Sequence, residues 1–281
     1  MNSTTSASLN ALKVKLADLM AHPVSANALV GFDGFIDRIQ KAVKRKQPTK
    51  NEYYNTISEF ASHLNALSGR SGQIELSTQQ TKKGGNAPIM ADALARLNVK
   101  VTCLGAMGLP SISDVFESMH EGCQKISVSD PGLSNSIEFG YGKIIFSELD
   151  ALSGLDWDRL LENCSLAKIM GIAENVRLFA LLDWANLPHA TSIWRQFLEH
   201  VVKQAGRSDY YFLFDLCDPS KKSVTEVKEL LTVISLFANY GHVTLGLNEN
   251  ETTRLWMALT GLQPQDRPSL EAAAMLIYHS L

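Results

Sequence analysis

The chain has 281 residues and a formal net charge of −3. That length suits one large α/β domain or two small ones, and the near-neutral balance gives no global attraction to nucleic acid or anionic lipid. Hydrophobic residues make up 45% and charged residues 20%, an ordinary mix for a globular protein with a buried core. No apolar run is long enough to cross a bilayer, and Met1–Asn10 lacks the apolar centre of a secretory leader, so it reads as a frayed terminus. Cys103, Cys123, Cys164 and Cys217 form no C-x-x-C pair and read as reduced, buried thiols of a cytoplasmic protein. The seven histidines show no metal-ligand spacing.

An amphipathic helix is predicted near Leu9–Met20, then strands at Ala28–Phe32 and Ile36–Val43. Lys41, Lys44, Arg45, Lys46 and Lys50 form a basic run broken by Pro48, read as a solvated loop. A helix at Tyr53–Leu67 and a short strand at Gln73–Ser77 follow. Helix Ala87–Leu97 leads into strand Val99–Gly105. Ile126–Val128, Ile137–Tyr141 and Lys143–Leu149 are extended, with turns marked by Asn135 and Gly142. With no helices between them, these segments suggest antiparallel pairing.

The back half alternates strand and helix. Strands are predicted at Ala167–Gly171, Tyr210–Asp215 and His242–Leu247, with helices at Val224–Asn239 and Glu249–Leu259. That alternation implies a parallel sheet with right-handed crossovers. Ligands on such sheets bind at the carboxyl ends of the strands, which draws attention to Asp215, Asp218, Asn248 and Glu251. Ser269–Leu281 reads as an apolar-faced helix, after which another strand is expected.

Three short motifs carry chemistry. Gly84-Gly85-Asn86 opens helix Ala87–Leu97, and glycines there let backbone N–H groups approach a ligand oxygen closely. The plainer role for Asn86 is a helix N-cap. Asp33 and Asp37 flank Gly34 in Gly31-Phe32-Asp33-Gly34-Phe35-Ile36-Asp37, where a carboxylate can accept strong hydrogen bonds; both also suit a solvated turn. Asn248-Glu249-Asn250-Glu251 follows a strand and opens a helix. Its plainer reading is a capping box. Ser165-Leu166-Ala167-Lys168 fits an S-x-x-K string but has no partner motif, so no catalytic role is read into it. The absence of G-x-G-x-x-G after the first strand disfavours a dinucleotide-binding oxidoreductase.

Together, Gly31–Asp37, Gly84–Leu97 and Asn248–Glu251, in that order, resemble the PfkB (ribokinase-like) carbohydrate kinase family. The resemblance runs from Ala28 to about Leu259. It implies an α/β, ribokinase-like three-layer sandwich formed by residues 1–281 as one domain. The central sheet would be mainly parallel, with a small β lid drawn from about 36–43, 73–77 and 126–149. It implies transfer of the ATP γ-phosphate to a hydroxyl of a sugar or nucleoside; the alternative is a sugar-binding remnant without catalysis. Asp33, Asp37, Gly84, Gly85 and Asn86 would bind the substrate, with Asp37 preferred over Asp33. Asn248 and Glu251 would organise phosphate and Mg²⁺, Glu251 through water. A homodimer through the lid also follows from the resemblance. There are two departures. Ile89 stands where the family carries an Asn, and the family's Gly-Ala-Gly-Asp segment, which supplies the anion hole and catalytic base, is not found. The base is therefore unassigned, the fold reads as C-terminally incomplete, and this chain alone is expected to transfer little phosphate.

Overall fold

The computed structural model describes residues 3–21 and 27–281. Helix α1 (Ser3–Ala21) precedes strand β1 (Asn27–Phe32), which passes through Asp33 and Gly34 into β2 (Phe35–Arg45). Next come β3 (Glu52–Tyr53), helix α2 (Ile57–Ala66) and β4 (Leu76–Gly84). Helix α3 (Asn86–Arg96) leads to β5 (Lys100–Ala106), β6 (Cys123–Ser129), β7 (Gly132–Glu138) and β8 (Lys143–Glu148). The back half runs α4 (Asp150–Ser153), α5 (Trp157–Asn163), α6 (Leu166–Ala173), β9 (Val176–Leu181), α7 (Ala190–Phe197) and β10 (Tyr210–Asp215). It continues with α8 (Val224–Phe237), β11 (Gly241–Gly246), α9 (Glu249–Thr260) and α10 (Leu270–Tyr278).

Six strands form a parallel sheet in the order β11-β10-β9-β1-β5-β6. Both faces are covered, as a parallel sheet requires. Alternation along β1 sends Ala28 and Val30 under α3, beside Ala87, Ala91 and Ala95, while Leu29 joins the opposite cluster. The four-residue spacing of those alanines puts them on one helix face, and their small side chains let α3 sit close to the sheet. The opposite cluster is aromatic: Phe179, Phe197, Phe212, Phe214 and Phe237 are all buried there. A second, mixed sheet runs β3-β2-β7-β8, with β4 also paired to β2.

Several expectations change. Residues 126–128 lie in β6, parallel to β5 in the central sheet, and Ile126 and Val128 are buried in its core rather than in a lid. Of the strands predicted to pair antiparallel, only β7 and β8 form a hairpin, turning at Gly142 (φ +82°). Asn135 sits within β7, not at a turn, and donates to Glu148 Oε1 at 3.1 Å. Ala167–Gly171 is helical, capped where Ser165 Oγ accepts the N–H of Lys168 at 3.4 Å, and the strand comes later, at Val176–Leu181. A short apolar run does not separate a buried strand from a buried helix. The basic run is not a loop at its start, since β2 continues through Lys41, Lys44 and Arg45. Lys44 and Lys46 pair with Glu59 and Glu75 at 2.6 and 3.0 Å. Helix α1 begins at Ser3, ahead of its predicted start, and Met1 and Asn2 of the frayed-terminus reading lie outside the described residues.

Strand β11 is an edge strand, and only β10 pairs with it among the described residues. Beside it, under α10, is a groove of about 950 Å³ lined by Val243, Leu245, Ala274, Ile277 and Tyr278 among others. None of Asp33, Asp37, Gly84, Gly85 or Asn86 lines it.

Candidate functional site

The chain fills the central sheet outward from β1, with β5 and β6 on one side and β9, β10 and β11 on the other. That reversal opens a crevice at the carboxyl ends of β1 and β9, the usual ligand position in such sheets. Asp33 follows β1, Asp183 follows β9, and Asp215 ends β10. The amino end of α3 meets them there.

Asp33 is fully buried, and its carboxylate turns inward onto α3. Oδ2 accepts the N–H of Asn86 at 2.6 Å and Oδ1 accepts that of Ala87 at 2.8 Å. A helix start leaves such N–H groups without intrahelical partners, and the residue at the cap position, Gly85, has no side chain to supply one. Asp33 does so from another strand. Asn86 is therefore not the N-cap; its Nδ2 instead donates to Asp215 Oδ2 at 2.6 Å and Cys217 Sγ at 3.4 Å.

Asp37 lies on β2, half-buried, with Lys82 of β4 opposite it and Ser134 of β7 on its other side. Phe35 pairs with Gly84, so Asp37 sits two residues along the same face. A Cβ on Gly84 would fall 2.4 Å from Asp37 Oδ1, and one on Gly85 would fall 2.8 Å from Asp33 Oδ2. Gly85 also has φ +89°, the left-handed region that glycine tolerates. The turn is thus wedged between the two aspartates, and Asp33, Asp37, Gly84, Gly85 and Asn86 come together in one place. Burial pushes the Asp37 carboxyl above the usual carboxylate range, against the pull of Lys82 and the Ser134 hydrogen bond.

Asn248 and Glu251 form a reciprocal cap at the start of α9. Glu251 N–H donates to Asn248 Oδ1 at 3.0 Å, and Glu251 Oε2 accepts Asn248 N–H at 3.0 Å. Asn248 Nδ2 also donates to Glu251 Oε1 at 2.6 Å. Burial raises the Glu251 carboxyl, and Asp215 and Asp218 add to that rise by repulsion. Asp218 is exposed and accepts from Ser220 N–H at 3.0 Å and Asn250 Nδ2 at 3.4 Å. Among the described residues, no three His, Cys, Asp or Glu side chains converge as a metal-binding group. Both Glu251 oxygens already accept from Asn248, so the donor set suits a hydrated Mg²⁺ held through water rather than direct ligation.

The sequence pattern of the prokaryotic ketohexokinase family matches residues 1–281. The chain belongs to that family. A curated ketohexokinase from Haloferax volcanii is 24% identical over 241 residues, covering 85% of this chain and 64% of the relative, so the chain spans less than two thirds of its length. The fold is ribokinase-like: Arabidopsis thaliana ribokinase complexed with ribose and ATP matches 92% of this chain and 69% of its own at 16% identity, TM-score 0.54. A phosphofructokinase-2 mutant from Escherichia coli matches 92% and 70% at 15% identity, TM-score 0.55. Membership agrees with the PfkB-type reading of the motifs. No helix among the described residues is long and apolar enough to span a membrane.

Asp183 is the site residue that sequence reasoning missed. It is buried, its φ is +57°, and Asn186 Nδ2 donates to its Oδ1 at 2.8 Å. An available signal was the apolar run Leu178–Leu182 ending in an acid, hidden because the strand was predicted to start nine residues too early, at Ala167. Ile89, in the first turn of α3, is 51% exposed.

Proposed function

We propose that this chain acts as a carbohydrate kinase, one that transfers the ATP γ-phosphate to a hydroxyl of a ketohexose. The observation that carries this reading is the Gly84–Gly85 turn held between Asp33 and Asp37 at the switch of the sheet. Asp37 accepts sugar hydroxyls as a charge-assisted acceptor, and the turn lets the sugar approach the backbone without a Cβ in the way. Asn86 presents an amide toward the same crevice. Family membership supports a ketohexose over a nucleoside. Titration of D-fructose, D-ribose and inosine into the purified chain tests the choice: saturable binding of fructose alone supports it, and preference for inosine overturns it.

Asn248 and Glu251 would hold Mg²⁺ through water, and the ion would neutralise charge on the nucleotide phosphates. The chain has no Gly-Ala-Gly-Asp segment, so no residue is assigned as base. A hydroxyl nucleophile needs a placed base and donors around the developing charge. The 281-residue chain alone is therefore expected to phosphorylate hexoses, pentoses and nucleosides at most slowly. Robust ATP-dependent turnover that disappears in Glu251→Gln would show that the base lies here after all.

The same reading places the protein in the cytoplasm and pairs two copies through the second sheet. Ile145 and Phe146 of β8 point to opposite faces and are 48% and 51% exposed. Sedimentation is expected to show a dimer that Phe146→Asp converts to monomer. A wild-type monomer at high concentration would remove the pairing.

A further inference from the structure

Asn86 is held from two strands that are not neighbours. Asp33, after β1, takes its backbone N–H, and Asp215, at the end of β10, takes its side-chain Nδ2, each at 2.6 Å. Strand β9 lies between β1 and β10 in the sheet. The residue therefore spans the crevice, its main chain fixed on one side and its side chain on the other.

A side-chain amide has two N–H donors and one carbonyl acceptor. Nδ2 of Asn86 meets two acceptors, Asp215 Oδ2 and, at 3.4 Å, Cys217 Sγ. Burial pushes the Cys217 thiol up, so the sulfur is a neutral, weak acceptor beside a charged, strong one. Both donors are thus directed away from a ligand. Oδ1 has no donor among the described residues and is not sealed from solvent. Turning the amide over would set Oδ1 against the Asp215 carboxylate, oxygen against oxygen, and strip that carboxylate of its donor.

We propose that Asp215 is a positioning residue that sets the specificity of the sugar site: it holds the Asn86 amide by its donors, so a ligand meets only Oδ1 and must bring a hydroxyl proton to it. The ligand in this proposal rests on the sugar-site reading; the geometry does not. Asp37, across the Gly84–Gly85 turn, is an acceptor as well when ionised. Hydroxyl groups are then read through their protons by both side chains, which suits a polyol. An ether oxygen, a carbonyl oxygen or a fluorine finds no donor in Asn86. A site built on such a hydrogen bond rejects a ligand lacking the matching group more strongly than an apolar pocket rejects a small change of shape.

Two substitutions of Asp215 are unequal on this account. Asp215→Asn can turn its own carbonyl oxygen to Asn86 Nδ2 and keep the bond, whereas Asp215→Leu offers no acceptor and frees the amide to rotate. The test uses the full chain. In calorimetric titration with D-fructose, Asp215→Leu is expected to bind at least about tenfold more weakly than wild type, and Asp215→Asn to recover binding to within about threefold. In an Asn86→Ala background, Asp215→Leu should cost less than about twofold, because the residue it acts through is gone. Among the monodeoxyfluoro analogues of D-fructose, one should bind wild type at least about tenfold more weakly than fructose, with that difference absent in Asn86→Ala.

Nuclear magnetic resonance supplies a readout that needs no ligand. The Asn86 side-chain NH₂ protons, identified by their loss in Asn86→Ala, are expected to exchange slowly in wild type and in Asp215→Asn, and at least about tenfold faster in Asp215→Leu. Losses that multiply in the double variant would overturn the proposal. So would wild-type Asn86 protons that exchange as fast as those of exposed asparagines, or a fluorinated series with no loss that depends on Asn86. If Asp215→Leu does not fold, the wild-type exchange and the fluorinated series decide. Protected NH₂ protons in a wild type that binds no fructose would defeat the sugar reading and leave the held amide standing.

Discussion

Gly34→Ala should be among the most damaging single substitutions in the chain. The residue is the hinge between the two sheets, and a Cβ there would lie 1.9 Å from the carbonyl oxygen of Ala106 at the end of β5. That oxygen cannot swing aside, because it belongs to a backbone already fixed by the bond from Ala106 N–H to the Asp33 carbonyl at 3.3 Å. On the other side, the Gly34 carbonyl accepts the N–H of Gly132 at 2.9 Å, which starts β7. Overpacking a tight site costs ~1–3 kcal/mol when side chains can shift, and here the obstacle is main chain, so the upper end or beyond applies. For a protein of this size, a loss of about 3 kcal/mol lowers Tm by roughly 6–12 °C. Calorimetry or thermal circular dichroism checks this. A Tm within a degree or two of wild type would mean that the two sheets are not joined through this contact.

Asp37→Ala should act in the opposite manner: little on stability, much on ligand. Its carboxylate is half-buried and held above the usual range by that burial, so removing it relieves desolvation rather than creating a cavity in the central core. A hydrogen bond to a charged acceptor contributes ~1.5–3 kcal/mol, which corresponds to a loss in sugar affinity of roughly 10- to 150-fold. The sign with pH follows from the raised value. Asp37 takes up its proton at a higher pH than an ordinary aspartate does, so sugar binding should weaken earlier on acidification, and Asp37→Ala should remove that acid limb. Calorimetric titration between pH 4 and 8 separates the outcomes. Unchanged fructose affinity in the variant would take Asp37 out of the site.

The parts of the fold legible in the sequence were those with local signals. Tyr210–Asp215 was readable as a strand because its run is nearly all apolar, although only Tyr210, Phe212 and Phe214 are buried and Tyr211 is 46% exposed. The helix at Val224 was readable from its periodicity, and it starts with Ser223 and Glu226 in a reciprocal cap. The parallel pairing of β5 with β6, and of β2 with β7, was not readable, because partner choice depends on the path of the whole chain. The same holds within the site. The Gly84–Gly85 turn could be named from sequence, and so could both nearby aspartates. What distinguishes them is tertiary: Asp33 meets the amino end of a helix that follows more than fifty residues later, whereas Asp37 faces Lys82 across a strand pair. Asp183 could not be placed at the site until β9 was set beside β1.

A sugar is expected to lie over the Gly84–Gly85 turn, between Asp37 and Asn86. A crystal structure of the chain grown with D-fructose tests it most directly. The expected result is density for one sugar over Gly85, with a hydroxyl within hydrogen-bond distance of an Asp37 carboxylate oxygen and another near the Asn86 amide. Sugar found only in the groove between β11 and α10, with the turn bare at saturating fructose, would contradict it.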